Sequence, residues 1–405
     1  MGQGASRHRR GGAAVNTATT EVERSSAADR TVLKEAAAEF ARREVLPHLQ
    51  AWEDAGAVPR ELHARAAAAG LLGVGFEEAV GGSGGDALDT IAVQEGMLAG
   101  GASSGLMSAL FTHGIAVPHI AAHGSDELKA RWVTPTLAGE LIGSLGITEP
   151  DGGSDVGSLR TTAVRDGDHF VINGAKTFIT SATRADFVTT AVRTGGPGSG
   201  GISMIVVPTD TPGFNVDRKL GKLGWHCSDT GELSYVDVRV PVTNLVGEEN
   251  AGFFYIAEQF VAERLALAVH GYGIAERSLE LTAQYCRERV TFGEPLIKRQ
   301  VVRHKLVEMR RQVEAAKAQA HAVAHLYVEV GVTTETIAQV CLAKETACNT
   351  ASYVTDQAVQ LHGGTGYMRG TEVERHYRDA RLLPIGGGAS EVLADLAAKL
   401  LGYTS

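Results

Sequence analysis

The hydrophobic pattern of the chain changes at the segment Gly146-Ile147-Thr148-Glu149-Pro150-Asp151-Gly152-Gly153-Ser154-Asp155. Before it, from Ala27 to about Ala138, apolar residues recur mostly at spacings of three and four, which is typical of amphipathic helices. After it, β-branched runs such as Phe187–Val192 are separated by turn residues, and Asp166-Gly167-Asp168 between two alternating runs predicts a β-hairpin. The segment therefore lies near the start of a predicted β domain.

Helical spacing returns at about Asn250 and continues almost to the C-terminus. The runs Gly252–Arg287, Val301–Tyr327 and Thr333–Leu361 are each long enough for a helix of an antiparallel bundle. The predicted organisation is a flexible tail over 1–26, an N-terminal helical domain over 27–140, a middle β domain over 141–246 and a C-terminal helical bundle over 247–405.

Composition excludes several classes of function. The 405 residues carry a net charge of −9, so the chain lacks the overall basic field that attracts nucleic acid or anionic lipid. No run approaches the roughly 18 apolar residues that a membrane helix needs, and the N-terminus has no apolar core of a secretory signal. Its 4 cysteines include no C-x-x-C pair. We therefore expect a soluble, cytoplasmic protein in a reducing compartment.

Three generic motifs do not support a function. Gly81-Gly82-Ser83-Gly84-Gly85 has the G-x-S-x-G pattern of a nucleophile elbow, but that elbow needs a parallel α/β sheet and the predicted strands lie elsewhere. His321 and His325 have the spacing of a zinc pair without the glutamate of a zinc protease, so we expect no metal site. Gly271-Tyr272-Gly273 lacks the third glycine of a dinucleotide fingerprint and follows no strand.

Three longer motifs are informative together. Gly146–Asp155 looks like a T-E-P-x-x-G-S-D signature, and Arg289-Val290-Thr291-Phe292-Gly293 matches an R-x-x-F-G element. Gln360-Leu361-His362-Gly363-Gly364-Thr365-Gly366-Tyr367, continued as far as Arg381, looks like a second signature. In this order and spacing, over nearly all of 27–403, the chain resembles the acyl-CoA dehydrogenase family.

This resemblance implies a multi-domain α and β fold with N-terminal helices, a middle β-barrel and a C-terminal four-helix bundle. It also implies non-covalent FAD and a homotetramer or a homodimer. Flavin contacts in the middle domain are implied for Leu145, Ile147, Thr148, Gly153, Ser154, Phe178 and Thr180. Contacts with the FAD of a neighbouring subunit are implied for Arg289, Phe292, Gln300, Gln360 and Gly364. Ser154 is also expected to touch the substrate's phosphate or pantetheine arm.

The catalytic base departs from the commonest family pattern. Many members carry it as a glutamate just after the second signature, but Gly387 stands there in this chain. Members that act on isovaleryl or long-chain acyl-CoA carry it instead in an E-R-L element, which Glu263-Arg264-Leu265 matches. We predict Glu263 as the base, with a raised pKa, Arg264 as a substrate contact and the Gly387 N–H as an oxyanion donor. Glu391 is the nearest alternative carboxylate, and the resemblance directs it toward the cofactor.

The implied reaction is α,β-dehydrogenation of an acyl thioester, with an electron-transferring flavoprotein as acceptor. A branched, medium or long acyl-CoA is the expected substrate, and an acyl group on a carrier protein is the first alternative. A flavin-dependent monooxygenase on the same fold is the second alternative, although such members usually lack the base. A non-enzymatic scaffold that binds nucleic acid is disfavoured by the net charge of −9.

Overall fold

The computed structural model describes residues 25–404, so residues 1–24 of the predicted tail lie outside the described residues. The first helix begins after Ser26, whose hydroxyl accepts from the Asp29 N–H while the Asp29 carboxylate accepts from the Ser26 N–H. This reciprocal capping box explains where the helix starts. The helices before the sheet are α1 Ala27–Phe40, α2 Leu49–Ala55, α3 Glu61–Ala68, α4 Ala87–Ala99, α5 Ser104–Leu110, α6 His113–Ala116, α7 Pro118–His123, α8 Asp126–Leu128 and α9 Thr134–Leu137.

The middle of the chain forms an eight-stranded sheet. Its strands are β1 Gly143–Gly146, β2 Thr162–Asp166, β3 His169–Thr180, β4 Phe187–Arg193, β5 Ile202–Pro208, β6 Phe214–Lys219, β7 Thr230–Pro241 and β8 Leu245–Val246. The order is β6-β7-β3-β2-β4-β5-β8, and β1 pairs in parallel with β4. The predicted hairpin joins β2 to β3, with Gly167 at φ 64° in its turn. Apolar side chains from both faces fill two separate cores, one of them shared with helices α6 to α9.

The rest of the chain is mostly helical. It comprises α10 Gly252–Glu288, β9 Val290–Thr291, β10 Glu294–Pro295, α11 Gln300–Val330, α12 Thr334–His362, α13 Gly364–Tyr367, α14 Glu372–Ala380 and α15 Ser390–Leu400. The three long helices start and end within a few residues of the predicted runs. The order of helical, β and helical parts is therefore the predicted one. No helix within residues 25–404 is long and apolar enough to cross a membrane.

The two glycines of Gly271-Tyr272-Gly273 serve helix packing. A Cβ added at Gly271 would lie 2.9 Å from the Ala347 carbonyl oxygen on α12, and one at Gly273 would lie 2.5 Å from Leu98 Cδ1 on α4. Between them, the buried Tyr272 hydroxyl donates to Glu95 over 2.9 Å. The glycines thus bring α10 close to both neighbouring helices, and larger residues there would push the helices apart.

One loop of the sheet domain joins all three parts of the chain. The Trp225 N–H donates to Asp379 Oδ1 over 2.7 Å, and its indole N–H donates to the Asp379 carbonyl over 3.1 Å. The Cys227 N–H donates to Glu53 Oε1 over 3.2 Å. Trp225 adopts a φ of 54°, a costly conformation for an aromatic residue, so these contacts determine its backbone. Asp379 and Glu53 are therefore two buried acids at the junction of the domains.

Asp379→Asn is expected to flatten the pH dependence of stability. Burial, together with the negative charge of Glu53, raises the pKa of Asp379 from 3.8 to about 7. The folded state therefore binds this proton more tightly than the unfolded state, and stability falls as the pH rises between those values. The asparagine side chain keeps the shape without the titration, so the melting temperature should decrease less between about pH 5 and about pH 7.5.

Thermal melts across this pH range measure the effect. Asp54→Asn, a change of an exposed acid on α2, is the matched control and should keep the wild-type profile. A profile for Asp379→Asn that equals the wild-type one would contradict the assignment.

Candidate active site

A buried ion pair fastens the first signature to the sheet. Lys176 on β3 is fully buried, and its Nζ donates to the Ile147 carbonyl over 3.0 Å and to Glu149 Oε1 over 2.8 Å. The Glu149 carboxylate also accepts from the N–H groups of Arg160 and Thr161, at 2.6 and 2.9 Å. Burial opposes both charges, but Lys176 holds the pKa of Glu149 below its usual value. Burial lowers the pKa of Lys176 only to about 8, so both groups are charged at neutral pH.

The next two residues of β3 leave the regular strand. The Thr177 N–H donates to the Thr148 carbonyl over 2.9 Å, and the register of β3 against β7 shifts between Lys176 and Ile179. Phe178 within this bulge has a φ of 60°, and its side chain is 68 % exposed. Bulges redirect side chains, and a strained, exposed aromatic residue beside the turn of the first signature marks a binding surface.

The structure brings several of the predicted flavin contacts of the middle domain together here. A Cβ at Gly153 would lie 3.4 Å from Thr148 Cγ2. Leu145 lies on β1 opposite Thr189, Ile147 is buried, and Thr180 ends β3, where its carbonyl accepts from the Ser144 hydroxyl. Ser154 is exposed at the outer side of the turn. The group therefore lies around the bulge, near the C-terminal ends of β1 and β3.

The predicted base faces the predicted oxyanion donor. Glu263 lies half-buried on α10, and a Cβ added at Gly387 would be 3.5 Å from Glu263 Oε1. That Cβ would also lie 2.5 Å from Leu267 Cδ1, one turn further along α10. Gly387 has a φ of 65°, which favours glycine. A side chain at position 387 would therefore contact the Glu263 carboxylate, which is predicted to act as the base in place of a glutamate at position 387.

Two opposing effects act on the pKa of the Glu263 carboxyl group. Removal from water raises the pKa of its carboxyl group, and the charges of Arg264 and Lys344 act in the lowering direction. The net effect is a raised pKa, as predicted from the sequence. Such a group binds a proton more readily than an ordinary glutamate and suits proton transfer near neutral pH.

Arg264 contacts the protein rather than solvent. Its Nε donates to the Gly387 carbonyl over 3.2 Å, and its guanidinium stacks on Phe260 at 5.1 Å from the ring centroid. Phe260 in turn packs against the core that contains Ile147. Glu391 lies in the first turn of α15 and is exposed. Through Phe260, these contacts connect the region of the predicted base to the core that contains Ile147, while Arg264 itself binds the loop at Gly387.

The third predicted group lies at one end of the helical bundle. Tyr285 stacks on His362 at 4.3 Å between ring centroids, which joins the end of α10 to the end of α12. All five predicted contacts with a neighbour's cofactor are exposed there, and Phe292 is 97 % exposed in a tight turn with a φ of 50°. They are Arg289, Phe292, Gln300, Gln360 and Gly364. Within residues 25–404 no acceptor binds the Arg289 guanidinium.

Comparisons with known proteins agree with this geometry. Family models for the N-terminal, middle and C-terminal domains of acyl-CoA dehydrogenases match residues 27–140, 144–238 and 250–402. The pig mitochondrial long-chain specific acyl-CoA dehydrogenase is 35 % identical over 93 % of this chain and 87 % of its own. The chain belongs to the acyl-CoA dehydrogenase family.

Two solved structures extend the comparison. A probable acyl-CoA dehydrogenase from Mycobacterium abscessus is 56 % identical, with a TM-score of 0.91 over 93 % of this chain and 100 % of that one. The prolyl acyl carrier protein oxidase AnaB is 28 % identical, with a TM-score of 0.88 over 93 % of this chain and 100 % of that one. The chain is accordingly an FAD-dependent oxidoreductase that acts on the CH–CH bond of an acyl thioester.

The residues present fit FAD. The bulge presents the exposed Phe178 ring beside the Thr148 segment, which suits a flat ring system. A Cβ at Gly152 or at Gly364 would meet nothing within 4 Å, so the backbone is open to a close ligand at both places. The Arg289 guanidinium, which has no acceptor among residues 25–404, is suited to a pyrophosphate because its planar fork binds two oxygens at once.

Sequence reasoning missed the two buried lysines of the site. Lys176 and Lys344 are both fully buried, although lysine is normally an exposed residue. The only sequence signal for Lys176 is a charged residue inside an otherwise strand-like run, and its partner Glu149 is 27 positions away. Their roles depend on tertiary contacts that the spacing of residues does not reveal.

Glu149→Gln is expected to destabilise the middle domain strongly. The change leaves the Lys176 ammonium buried without a counter-charge, and breaking one partner of a buried pair typically costs about 3–5 kcal/mol. The melting temperature and FAD retention of the purified variant test this expectation. Asp151→Asn is the matched control, since it removes an exposed partner of Arg160 from the same signature and should change neither quantity. Wild-type stability of Glu149→Gln would contradict the proposed role of the ion pair between Lys176 and Glu149.

Proposed function

We propose that Glu263 is the catalytic base of an acyl-CoA dehydrogenase specific for a branched, medium or long acyl chain. The observation that supports this most directly is that a Cβ added at Gly387 would lie 3.5 Å from Glu263 Oε1. Position 387, where many family members carry the base, and Glu263 therefore face the same space. Relatives named for long-chain and for isobutyryl substrates, at 35 % and 34 % identity, agree with a long or branched chain, and a short-chain specific relative is also 35 % identical.

In the proposed reaction, the α-proton of the thioester passes to Glu263. The C–H electron pair left on the α-carbon forms the α,β double bond, and FAD, when bound, would supply the acceptor for the hydride of the β-carbon. The α-carbon is weakly acidic, so the base must be desolvated and close to it. The half-buried position of Glu263 and its raised pKa meet the first of these needs.

The loop supplies the second element of the mechanism. Negative charge develops on the thioester oxygen as the α-proton leaves, and a fixed N–H donor stabilises it. The Gly387 N–H has no acceptor within residues 25–404 and lies on the loop that faces Glu263. We propose that this N–H binds the thioester oxygen.

An acyl group on a carrier protein is the second candidate substrate. The likeness to AnaB, whose name describes a prolyl acyl carrier protein oxidase, favours it. Anaerobic titration of the flavin absorbance with matched acyl-CoA and acyl-carrier thioesters separates the two candidates. We expect bleaching by acyl-CoA at lower concentration, and bleaching by neither class would contradict the dehydrogenase proposal.

Glu263→Gln is expected to keep bound FAD and to lose flavin reduction by substrate. General base catalysis typically contributes about 10²- to 10⁴-fold, so the rate of anaerobic bleaching should fall by at least about 100-fold. Stopped-flow absorbance measures it.

Glu258→Gln is the matched control, because Glu258 lies exposed on the same helix and contacts His123 rather than the loop. It should reduce flavin at the wild-type rate. A wild-type rate for Glu263→Gln itself would show that another group removes the proton.

We propose that the enzyme is a homotetramer, or a homodimer, and that it passes electrons to an electron-transferring flavoprotein. The exposed apolar residues around the third group support the assembly, with Phe292 97 % and Tyr367 78 % exposed. An apolar patch of this kind beside a free Arg289 is suited to cover a second subunit's cofactor. Reoxidation of the reduced enzyme by electron-transferring flavoprotein, compared with reoxidation by oxygen, tests the acceptor.

Phe292→Ser is expected to weaken the assembly and to lower FAD retention together. The change removes the most exposed aromatic ring of the patch, whose burial between subunits would contribute about 1.5–3 kcal/mol. Analytical ultracentrifugation and the ratio of flavin to protein absorbance measure the two effects. Val32→Ser, a change of an exposed apolar residue on α1, should leave both unchanged. Unchanged mass and flavin content for Phe292→Ser would contradict this interface.

A further inference from the structure

The loop opposite the base is held by two cations from different helices. Arg264 Nε on α10 donates to the Gly387 carbonyl over 3.2 Å, and Lys344 Nζ on α12 donates to the Gly388 carbonyl over 2.8 Å. Both glycines have positive φ, 65° and 107°. Two successive peptide units of the loop are therefore held through their carbonyl groups, although the two glycines have no side chains that could pack.

Burial of the Lys344 side chain lowers the stability of the folded state. Its side chain is fully buried, its Nζ has one hydrogen-bond acceptor, and no carboxylate of residues 25–404 forms an ion pair with it. Burial lowers the pKa of the ammonium, and the charge of Arg264 acts in the same direction, whereas Cys348, Glu345 and Glu263 act in the raising direction. A buried charge without a counter-charge costs stability, and an apolar residue of similar size would cost less. Stability alone therefore does not account for a lysine here.

The two carbonyl contacts determine where the N–H groups of the loop point. In a trans peptide the C=O and N–H point in opposite directions, so the held carbonyls turn the next N–H groups away from the cations. The N–H groups of Gly387, Gly388 and Ala389 have no acceptor within residues 25–404. The two contacts thus turn the N–H groups of Gly388 and Ala389 away from Arg264 and Lys344, and the Gly387 N–H belongs to the peptide unit that adjoins these two fixed units.

We propose that Lys344 is a positioning residue for the thioester: by holding the Gly388 carbonyl, it fixes the loop so that the Gly387 N–H binds the thioester oxygen opposite Glu263. This inference rests on the proposed function of Glu263 and Gly387. Its chemical basis is that a donor aligned before the reaction stabilises developing charge much better than a mobile one. Lys344 itself touches neither the substrate nor the reacting atoms.

Lys344→Met tests the proposal, because methionine keeps the length of the side chain and removes the donor and the charge. We expect bound FAD and a melting temperature at least equal to the wild type, since a buried charge is lost. The rate of flavin reduction should fall by about 100-fold, with a change in substrate affinity of less than about threefold. The carbonyl stretching frequency of a bound, unreactive thioester should move toward its value in solution.

A pH profile separates positioning from a merely structural role. The charged groups that act on Glu263 are Arg264 on its own helix and Lys344 on α12, and both lower the pKa of its carboxyl group. Loss of the Lys344 charge should therefore move the acid limb of flavin reduction to higher pH. Lys344→Arg, which keeps the charge and a donor, should restore part of the rate and the wild-type acid limb.

Lys305→Met is the matched control. Lys305 is half-buried on α11, and its Nζ donates to Gln357 on α12 over 2.7 Å, away from the loop. It should keep the wild-type rate, pH profile and carbonyl frequency. If Lys344→Met does not fold, Lys344→Gln keeps a neutral donor and should show a smaller rate loss with the same shift of the acid limb.

The outcomes distinguish a failure of the proposed function from a failure of the positioning role of Lys344. If the wild-type enzyme is not bleached by any acyl thioester, the proposed function fails. If the wild type is bleached and a folded Lys344 variant without the charge keeps the wild-type rate, acid limb and carbonyl frequency, the positioning role of Lys344 is overturned while the function stands.

Discussion

The buried ion pair between Lys176 and Glu149 is the contact on which the site depends. It joins a strand of the sheet to the turn that follows β1, and the carboxylate also accepts two backbone N–H groups. With Lys176 fixed, the next residue bonds to the turn instead of to β7, and the bulge then exposes Phe178. A single desolvated contact thus determines the register shift and the aromatic surface.

The second half of the site belongs to the helical bundle and needs its close packing. Gly271 lets α10 approach α12, so that cations on both helices reach the same loop. Phe260 connects the same region of α10 to the core beneath Ile147. The proposed base and the predicted flavin-contact residues are therefore parts of one packed unit, although they come from segments more than 80 residues apart in sequence.

The sequence predicted the long helices and the hairpin well, because their apolar spacing and the Asp-Gly turn are local signals. Gly143–Gly146 was not predicted as a strand, since four residues with two glycines carry no alternating pattern. The bulge at Phe178 and the burial of Lys176 and Lys344 also lay beyond prediction, because each depends on a partner distant in the chain. Glu263 was predicted as the base from the family resemblance, because Gly387 stands at the usual position and Glu263-Arg264-Leu265 matches the alternative element.

The proposed base on α10 changes what the loop must do. The Glu263 carboxylate lies on a long helix, and the loop of glycines offers only backbone N–H groups, with no side chain to restrain it. Glycine has the largest conformational entropy to lose, so such a loop needs restraint through its backbone. Arg264 and Lys344 supply that restraint by binding two successive carbonyls, which explains why two buried cations accompany the glycines.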